Sequence, residues 1–255
     1  MVGKKVLLLG GTSDAFDLAQ YFFQLPTVNV ITSFSGATKN PRVPAGKFRT
    51  GGFGGVEGLC RYLKEENINL IIDATHPFAV QITRNAIAAA RVSEVPIVHL
   101  VRDAWHLTKQ DAWCLVPNLQ AAVDKLYELC DFKTQTVFLS IGRKDIEKFA
   151  KIKRAHFVVR SIEKPTMVDN FPNSVWIRGR GPFSYEEEYW LLKKRCISVL
   201  VAKNSGGISG KMKLKAARAL KLPVIMIERP TPPNGEIATS SKDLIQLVME
   251  KGGLL

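Results

Sequence analysis

What the sequence lacks narrows it before any motif is read. No apolar run approaches the ~20 residues needed to span a bilayer. The apolar stretch 6–9, which follows Lys4 and Lys5, stops at Gly10-Gly11. That is too short for the core of a secretory signal, so a cytoplasmic protein is expected. Cysteine is sparse. Cys60, Cys114, Cys130 and Cys196 form no CxxC pair and have no histidine at ligand spacing. This argues against a structural zinc site, and no metal is expected; a disulfide framework would be out of place in so large a chain. Buried free thiols are the default. Internal repeats and low-complexity segments are also missing.

What is present is an ordinary globular balance with one asymmetry. The chain has 255 residues, 46% hydrophobic and 23% charged, which excludes disorder as the main state. Lys and Arg number 36 against 23 Asp and Glu, a difference of +13. Residues 141–230 hold 20 Lys/Arg and 8 Asp/Glu, so +12 of that excess lies there. An acidic partner for the second half is implied: nucleic acid, a polyanionic small molecule or a phosphate-bearing cofactor. A basic face kept for solubility is the plainer explanation. Against nucleic acid, the aromatic residues do not interleave with the basic ones as a stacking platform requires.

Short apolar, β-branched runs alternate with amphipathic stretches, the βαβ rhythm of a parallel sheet covered by helices. Strands are expected at 6–9, 29–32, 47–50, 70–73 and 97–101, with helices at 14–24, 56–66 and 79–91. The segment 102–117 lacks periodicity and reads as a connector. Beyond it come helix 119–129, strand 136–140, helix 145–150, strand 156–160, helix 185–194, strand 198–202, helix 211–220, strand 224–227 and helix 242–250. The expected fold class is α/β: two Rossmann-like, doubly wound domains with mainly parallel sheets, spanning 1–105 and 106–255. Ligands of such sheets bind beyond the carboxyl ends of the strands, so chemistry is sought in those loops.

The first loop is Gly10-Gly11-Thr12-Ser13-Asp14. It follows a strand and opens a helix, where N–H groups and the positive dipole end suit a pyrophosphate. The alternative is a tight turn with Ser13 or Asp14 as N-cap. At the second strand end stands Ser33, with no acid until Glu57. An NAD site usually carries an acid there, so Ser33, Thr38 and Lys39, with Arg42 nearby, point to NADP; a plain turn on Gly36 is the alternative. Gly51-Gly52-Phe53-Gly54-Gly55 costs conformational entropy and suits close backbone approach to a ligand, or else a hinge. Asp73-Ala74-Thr75-His76-Pro77-Phe78-Ala79 ends a buried strand. Pro77 suits a first helical turn, with Thr75 or His76 near the N-cap. His76 is either an acid/base or a cap.

In the second half, Lys203-Asn204-Ser205-Gly206-Gly207 offers ammonium, amide, hydroxyl and N–H donors to an anion. Arg143, Arg160, Arg178, Arg180 and Arg229 lie at strand or turn ends, where guanidinium forks match carboxylates. The acidic run Glu186-Glu187-Glu188 starts a helix and reads as structure.

These loops, together with Arg180-Gly181-Pro182-Phe183, resemble the precorrin-6A reductase family, including its cobalt-precorrin-6A form, over essentially the whole chain. The resemblance implies NADPH-dependent reduction of one ring double bond of a corrin precursor in cobalamin biosynthesis. It also implies two Rossmann-like domains with cofactor and tetrapyrrole between them. The cofactor would meet Gly10, Gly11, Thr12, Ser13, Asp14, Ser33, Thr38, Lys39, Gly51, Gly52, Phe53, Gly54 and Thr75. The polycarboxylate substrate would meet His76, Pro77, Phe78, Arg143, Arg160, Lys203, Asn204, Ser205, Gly206 and Gly207, with His76 as the candidate catalytic residue: it is the titratable group best placed to deliver the proton, with solvent or a substrate carboxyl as the other sources. The family usually carries an arginine where this chain has Ala37, so either Lys39, Arg42 or Arg49 holds the 2′-phosphate in its place or affinity for NADPH is weaker here. No membrane or nucleic-acid partner is expected, and the chain is expected to be a monomer or weak homodimer. The rival readings are an NADP-dependent reductase of another polyanion and a basic nucleic-acid-binding α/β protein.

Overall fold

In a computed structural model, which describes residues 3–36, 42–165, 171 and 173–250, the chain forms two compact units. The first takes the residues up to Asp103 and those from Pro230 onward; the second runs from Ala104 to Arg229.

Unit 1 contains β1 (Lys4–Leu9), α1 (Ser13–Phe23), β2 (Val28–Phe34), β3 (Lys47–Thr50), α2 (Gly55–Glu65), β4 (Leu70–Asp73), α3 (Val80–Val92) and β5 (Ile97–Leu100), and later β12 (Glu236–Ala238) and α7 (Ser241–Glu250). Its six strands lie in the order β12-β5-β4-β1-β2-β3, all parallel. The period-2 alternation of strands explains the layers. Val6 and Leu8 of β1 pack with Leu18 and Phe22 of α1 and with Leu244 of α7. Leu7 and Leu9 face the other way, toward Leu59 of α2 and Ala86 of α3. Burial on both faces is what makes 6–9 an unbroken apolar run.

Unit 2 contains β6 (Ala112–Val116), α4 (Leu119–Phe132), β7 (Gln135–Ser140), β8 (Ala155–Ser161), β9 (Ser174–Arg178), α5 (Tyr185–Lys194), β10 (Val199–Lys203), α6 (Lys211–Ala219) and β11 (Pro223–Ile227). The order is β6-β11-β10-β7-β8-β9, again all parallel. Each sheet therefore reverses strand order at one place: between β1 and β4 in unit 1, and between β7 and β10 in unit 2. In doubly wound sheets such a switch point opens the ligand crevice.

The α/β class with two parallel sheets is as expected, but several details differ. Residues 230–250 belong to unit 1, not to a second domain of 106–255, because β12 pairs with β5 and α7 packs under α1. The supposed connector 102–117 contains β6, whose Trp113 and Leu115 lie in register with Val224 and Met226 of β11. β9 and β12 are edge strands that the expected strands do not include. The helix expected at 145–150 is a 3-10 helix, Arg143–Phe149, with Ala150 as its C-cap. The N-cap of α1 is Thr12, not Ser13 or Asp14. Pro77 precedes α3 in a turn instead of sitting in its first turn; the N-cap position is Ala79.

Candidate active site

At the switch point of unit 1 the loops after β1 and β4 meet. Thr12 Oγ1 accepts from Ala15 N at 3.2 Å, capping α1, and donates to Ala74 O at 2.8 Å. Gly10 allows this close helix–strand approach: a Cβ there would meet Thr32 Cγ2 at 3.2 Å and Ala15 Cβ at 3.3 Å. Gly11 is different. Its φ of +113° excludes ordinary side chains, and a Cβ would meet nothing within 4 Å. The loop thus presents bare backbone outward at a helix N-terminus, the geometry that suits a pyrophosphate. Ser13 is exposed beside it. Asp14, an acid in the first turn of α1 that would repel phosphate, is paired with Arg102 Nη1 at 2.6 Å.

A second cluster lies at the ends of β2 and β3. Register places Ser33 opposite Arg49. Arg49 Nη1 donates to Ser33 Oγ at 2.9 Å and to Gly51 O at 3.0 Å, and Nη2 donates to Gly52 O at 3.0 Å. The guanidinium stacks 3.9 Å from the Phe53 ring centroid. A braced cation is therefore bonded to Ser33, the residue that stands where an NAD site usually holds an acid. Gly54 caps α2 in the left-handed region, at φ 82°. Thr38 and Lys39, and the Ala37 position, lie outside the described residues.

The loop after β4 is held by Asp73, which is 4% exposed. Its carboxylate accepts from Thr75 N at 3.2 Å, Thr75 Oγ1 at 2.7 Å and Thr83 Oγ1 at 2.8 Å, and contacts His99 Nδ1 at 3.1 Å. Burial pushes the Asp73 pKa up, but the hydrogen bonds from His99, Thr75 and Thr83 outweigh it and hold the carboxyl below the usual carboxylate range. Beyond Thr75 the chain turns. Phe78 N donates to His76 Nδ1 at 3.3 Å and Ala79 N to His76 O at 2.7 Å. His76 is exposed and its ring lies 5.7 Å from that of Phe78; Pro77 is half-buried between them. With Nδ1 accepting, the hydrogen-bond pattern assigns the neutral ring's hydrogen to Nε2.

In unit 2 the structure scatters the expected anion ligands. Arg143 Nη1 pairs with Glu163 at 3.1 Å. Arg160 Nη2 pairs with Glu188 at 2.6 Å, its guanidinium 3.5 Å from the Phe183 ring centroid. Lys203 Nζ pairs with Asp145. The buried Asn204 side chain brackets Trp105, accepting from its N at 2.8 Å and donating to its O at 2.9 Å. Gly207 O accepts from Trp105 Nε1 at 2.8 Å, so Gly206 and Gly207 turn around that indole. Ser205 is half-buried, its N donating to Lys203 O at 2.7 Å.

Sequence reasoning missed three pieces. The Asp73–His99 contact depends on the pairing of β4 with β5. Glu188, read as a helix starter, is instead a buried partner of Arg160, whereas Glu187 completes the capping box with Ser184. Lys213 donates to Ser140 Oγ at 2.6 Å, and burial holds its pKa down to about 8. No spacing in the sequence signals that contact.

A family model described as precorrin-6x reductase CbiJ/CobK matches residues 5–249. A precorrin-6A reductase of Rhodococcus erythropolis is 40% identical over 229 residues, 90% of each chain. One of Rhodobacter capsulatus is 36% identical over 248 residues, 97% of each. A cobalt-precorrin-6A reductase of Priestia megaterium is 27% identical over 262 residues, 96% of this chain and 98% of that protein. Among solved structures, a CobK precorrin-6A reductase superposes with a TM-score of 0.90 at 35% identity, covering 98% of this chain and 97% of that one.

Proposed function

The chain belongs to the precorrin-6x reductase family, an oxidoreductase of cobalamin biosynthesis, and on that premise we propose that it reduces one ring double bond of precorrin-6A, or of its cobalt form, with NADPH. When bound, NADPH supplies the hydride; alignment and exclusion of water fall to the protein. Within unit 1 the residues fit that cofactor. Gly11 leaves its outward face open, the N-terminus of α1 offers N–H groups, and Arg102 neutralises Asp14. The observation that carries the reading is Arg49, anchored on Ser33 and on two glycine carbonyls at the end of β3. It offers a fixed positive charge to a 2′-phosphate, and Ser33 beside it adds no negative charge to repel one.

Asp73 holds Thr75 through both its N–H and its hydroxyl, which fixes the turn carrying His76. Thr75 marks the nicotinamide end of the cofactor site. His76, Pro77 and Phe78 border the substrate, with His76 Nε2–H as the donor presented to it. The tetrapyrrole's carboxylates are met by cations of unit 2. The protein works in the cytoplasm as a monomer or weak homodimer; no helix among the described residues is long and apolar enough to cross a membrane.

An anaerobic spectral assay tests this reading, with precorrin-6A and cobalt-precorrin-6A each offered with NADPH and with NADH. Reduction of at least one tetrapyrrole, faster with NADPH, is expected. No spectral change with either tetrapyrrole refutes the substrate; equal rates with both nucleotides refute the cofactor choice.

A further inference from the structure

Three cations of unit 2 that stand out in the sequence are already matched by acids: Arg143 by Glu163, Arg160 by Glu188 and Lys203 by Asp145. Lys213 is not. It lies in the first turn of α6, half-buried, and its Nζ donates to Ser140 Oγ at 2.6 Å. Ser140 is the last residue of β7, and β7 and β10 flank the switch point of this sheet. Among the described residues, Ser140 is the hydrogen-bond partner of this ammonium and no carboxylate pairs with it. An ammonium has three donors, so two remain for a ligand.

The charged groups that face Lys213 are Glu188 from α5 and Arg160 from β8. Glu188 is 3% exposed; its Oε1 is taken by Arg160 and its Oε2 has no partner. Carboxylate and guanidinium neutralise each other, which leaves Lys213 as the uncompensated cation. Burial pushes its pKa down to about 8, Glu188 raising it and Arg160 lowering it further. A half-buried cation whose facing carboxylate is already paired with an arginine is costly in the free protein. The cost is relieved if an anion arrives. Ser140 accepts from Lys213, so its own hydroxyl hydrogen is available to the same anion.

We propose that Lys213 and Ser140 form a carboxylate seat in unit 2 that takes one acidic side chain of the tetrapyrrole. The proposal rests on the substrate reading above. A carboxylate bound there restores the ammonium's preference for its proton, so binding above the free enzyme's pKa is coupled to proton uptake.

The test is steady-state reduction of precorrin-6A by the full-length protein at saturating NADPH, followed from about pH 6.5 to about pH 9.5, a range that brackets the Lys213 titration. In wild type, KM rises above about pH 8. Lys213→Met raises KM at pH 7 on the order of tenfold, the loss of one charge-assisted partner, with the effect in KM and not in kcat. It also flattens the pH dependence. Lys213→Arg keeps a KM near that of wild type at pH 7 and loses the rise at high pH, because guanidinium does not deprotonate in this range. A second readout is independent of turnover: acetylation of Lys213 by acetic anhydride, followed by mass spectrometry, is suppressed by precorrin-6A. A folded Met variant with unchanged KM overturns the seat. So does an Arg variant that retains the rise, or labelling that ignores the substrate. A wild-type protein that never reduces precorrin-6A overturns the substrate reading instead, and the variants do not enter into that outcome.

Discussion

Thr12 Oγ1 donates to the backbone carbonyl of Ala74 at 2.8 Å while capping α1 through Ala15 N. One hydroxyl thus ties the loop after β1 to the loop after β4, across the switch point where the cofactor is proposed to lie. Thr12→Val keeps the shape and removes both bonds. The expected cost is about 1–2 kcal/mol of stability, typical of a lost N-cap, together with weaker NADPH binding. Urea melts and a fluorescence titration check the two effects. A destabilised variant with an unchanged NADPH dissociation constant would limit Thr12 to the fold.

Asp73 makes a second prediction, about acid. Its folded-state pKa lies below the unfolded value of 3.8 because the bonds from His99, Thr75 and Thr83 outweigh burial. The carboxylate therefore contributes stability that is fully present above about pH 4 and is lost as pH falls through the lowered value. Asp73→Asn should cost about 2–4 kcal/mol at pH 7, since a buried charged acceptor is replaced by a neutral amide. The gap between variant and wild type should close toward pH 2. A gap that stays constant down to that pH rejects the ionised state.

Which parts of this were legible follows from burial and separation. The strand runs 6–9 and 70–73 were readable because β1 and β4 are buried on both faces and so carry unbroken apolar sequence. The loops at their ends were readable because strand, glycine or proline and helix follow in order. β12, three residues long, carries no such signal, and its partner β5 lies far back in the chain. That is why the tail was assigned to the wrong unit. Arg49 was visible only as one of three cations near the second strand end; the strand register aims it at Ser33. Lys213 and Ser140 are 73 residues apart, and only the packing of α6 over the sheet joins them.

Arg49 carries the nucleotide prediction. Arg49→Met removes the fork from Ser33, Gly51 and Gly52 and the stacking on Phe53. NADPH affinity should fall by about 1.5–3 kcal/mol, the worth of charged hydrogen bonds to one phosphate, and NADH affinity should fall much less. Arg49→Lys should recover part of the preference, because charge is kept while the planar fork is lost. Equal losses for both nucleotides would make Arg49 a brace for the glycine loop. Gly52→Ala is the companion variant: a Cβ there meets nothing within 4 Å, so stability should hold while nucleotide binding weakens. Unchanged binding would remove that glycine from the site.

His76 carries the last prediction, which separates two roles that share one residue. Its Nδ1 accepts from Phe78 N, so the ring is built into its own turn, and Nε2 is the nitrogen proposed to face substrate. Asn places an acceptor oxygen near the position of Nδ1 and nothing at Nε2. His76→Asn should therefore keep the turn and lose the contact to substrate. If His76 positions substrate, turnover falls by less than about tenfold, the pH profile keeps its shape and the solvent isotope effect persists. That is the expected outcome, because Nδ1, the nitrogen through which a carboxylate would orient a general acid, is taken up by the Phe78 N–H. If His76 delivers the proton, turnover falls by about a hundredfold or more, and an inflection between about pH 6 and pH 8 disappears. The isotope effect would change with it. His76→Gln is the converse variant, with an amide end that reaches toward Nε2 but leaves Phe78 N without its partner. Recovery of KM by Gln, without recovery of the turn's stability, would place the function of His76 at Nε2 and its structural role at Nδ1.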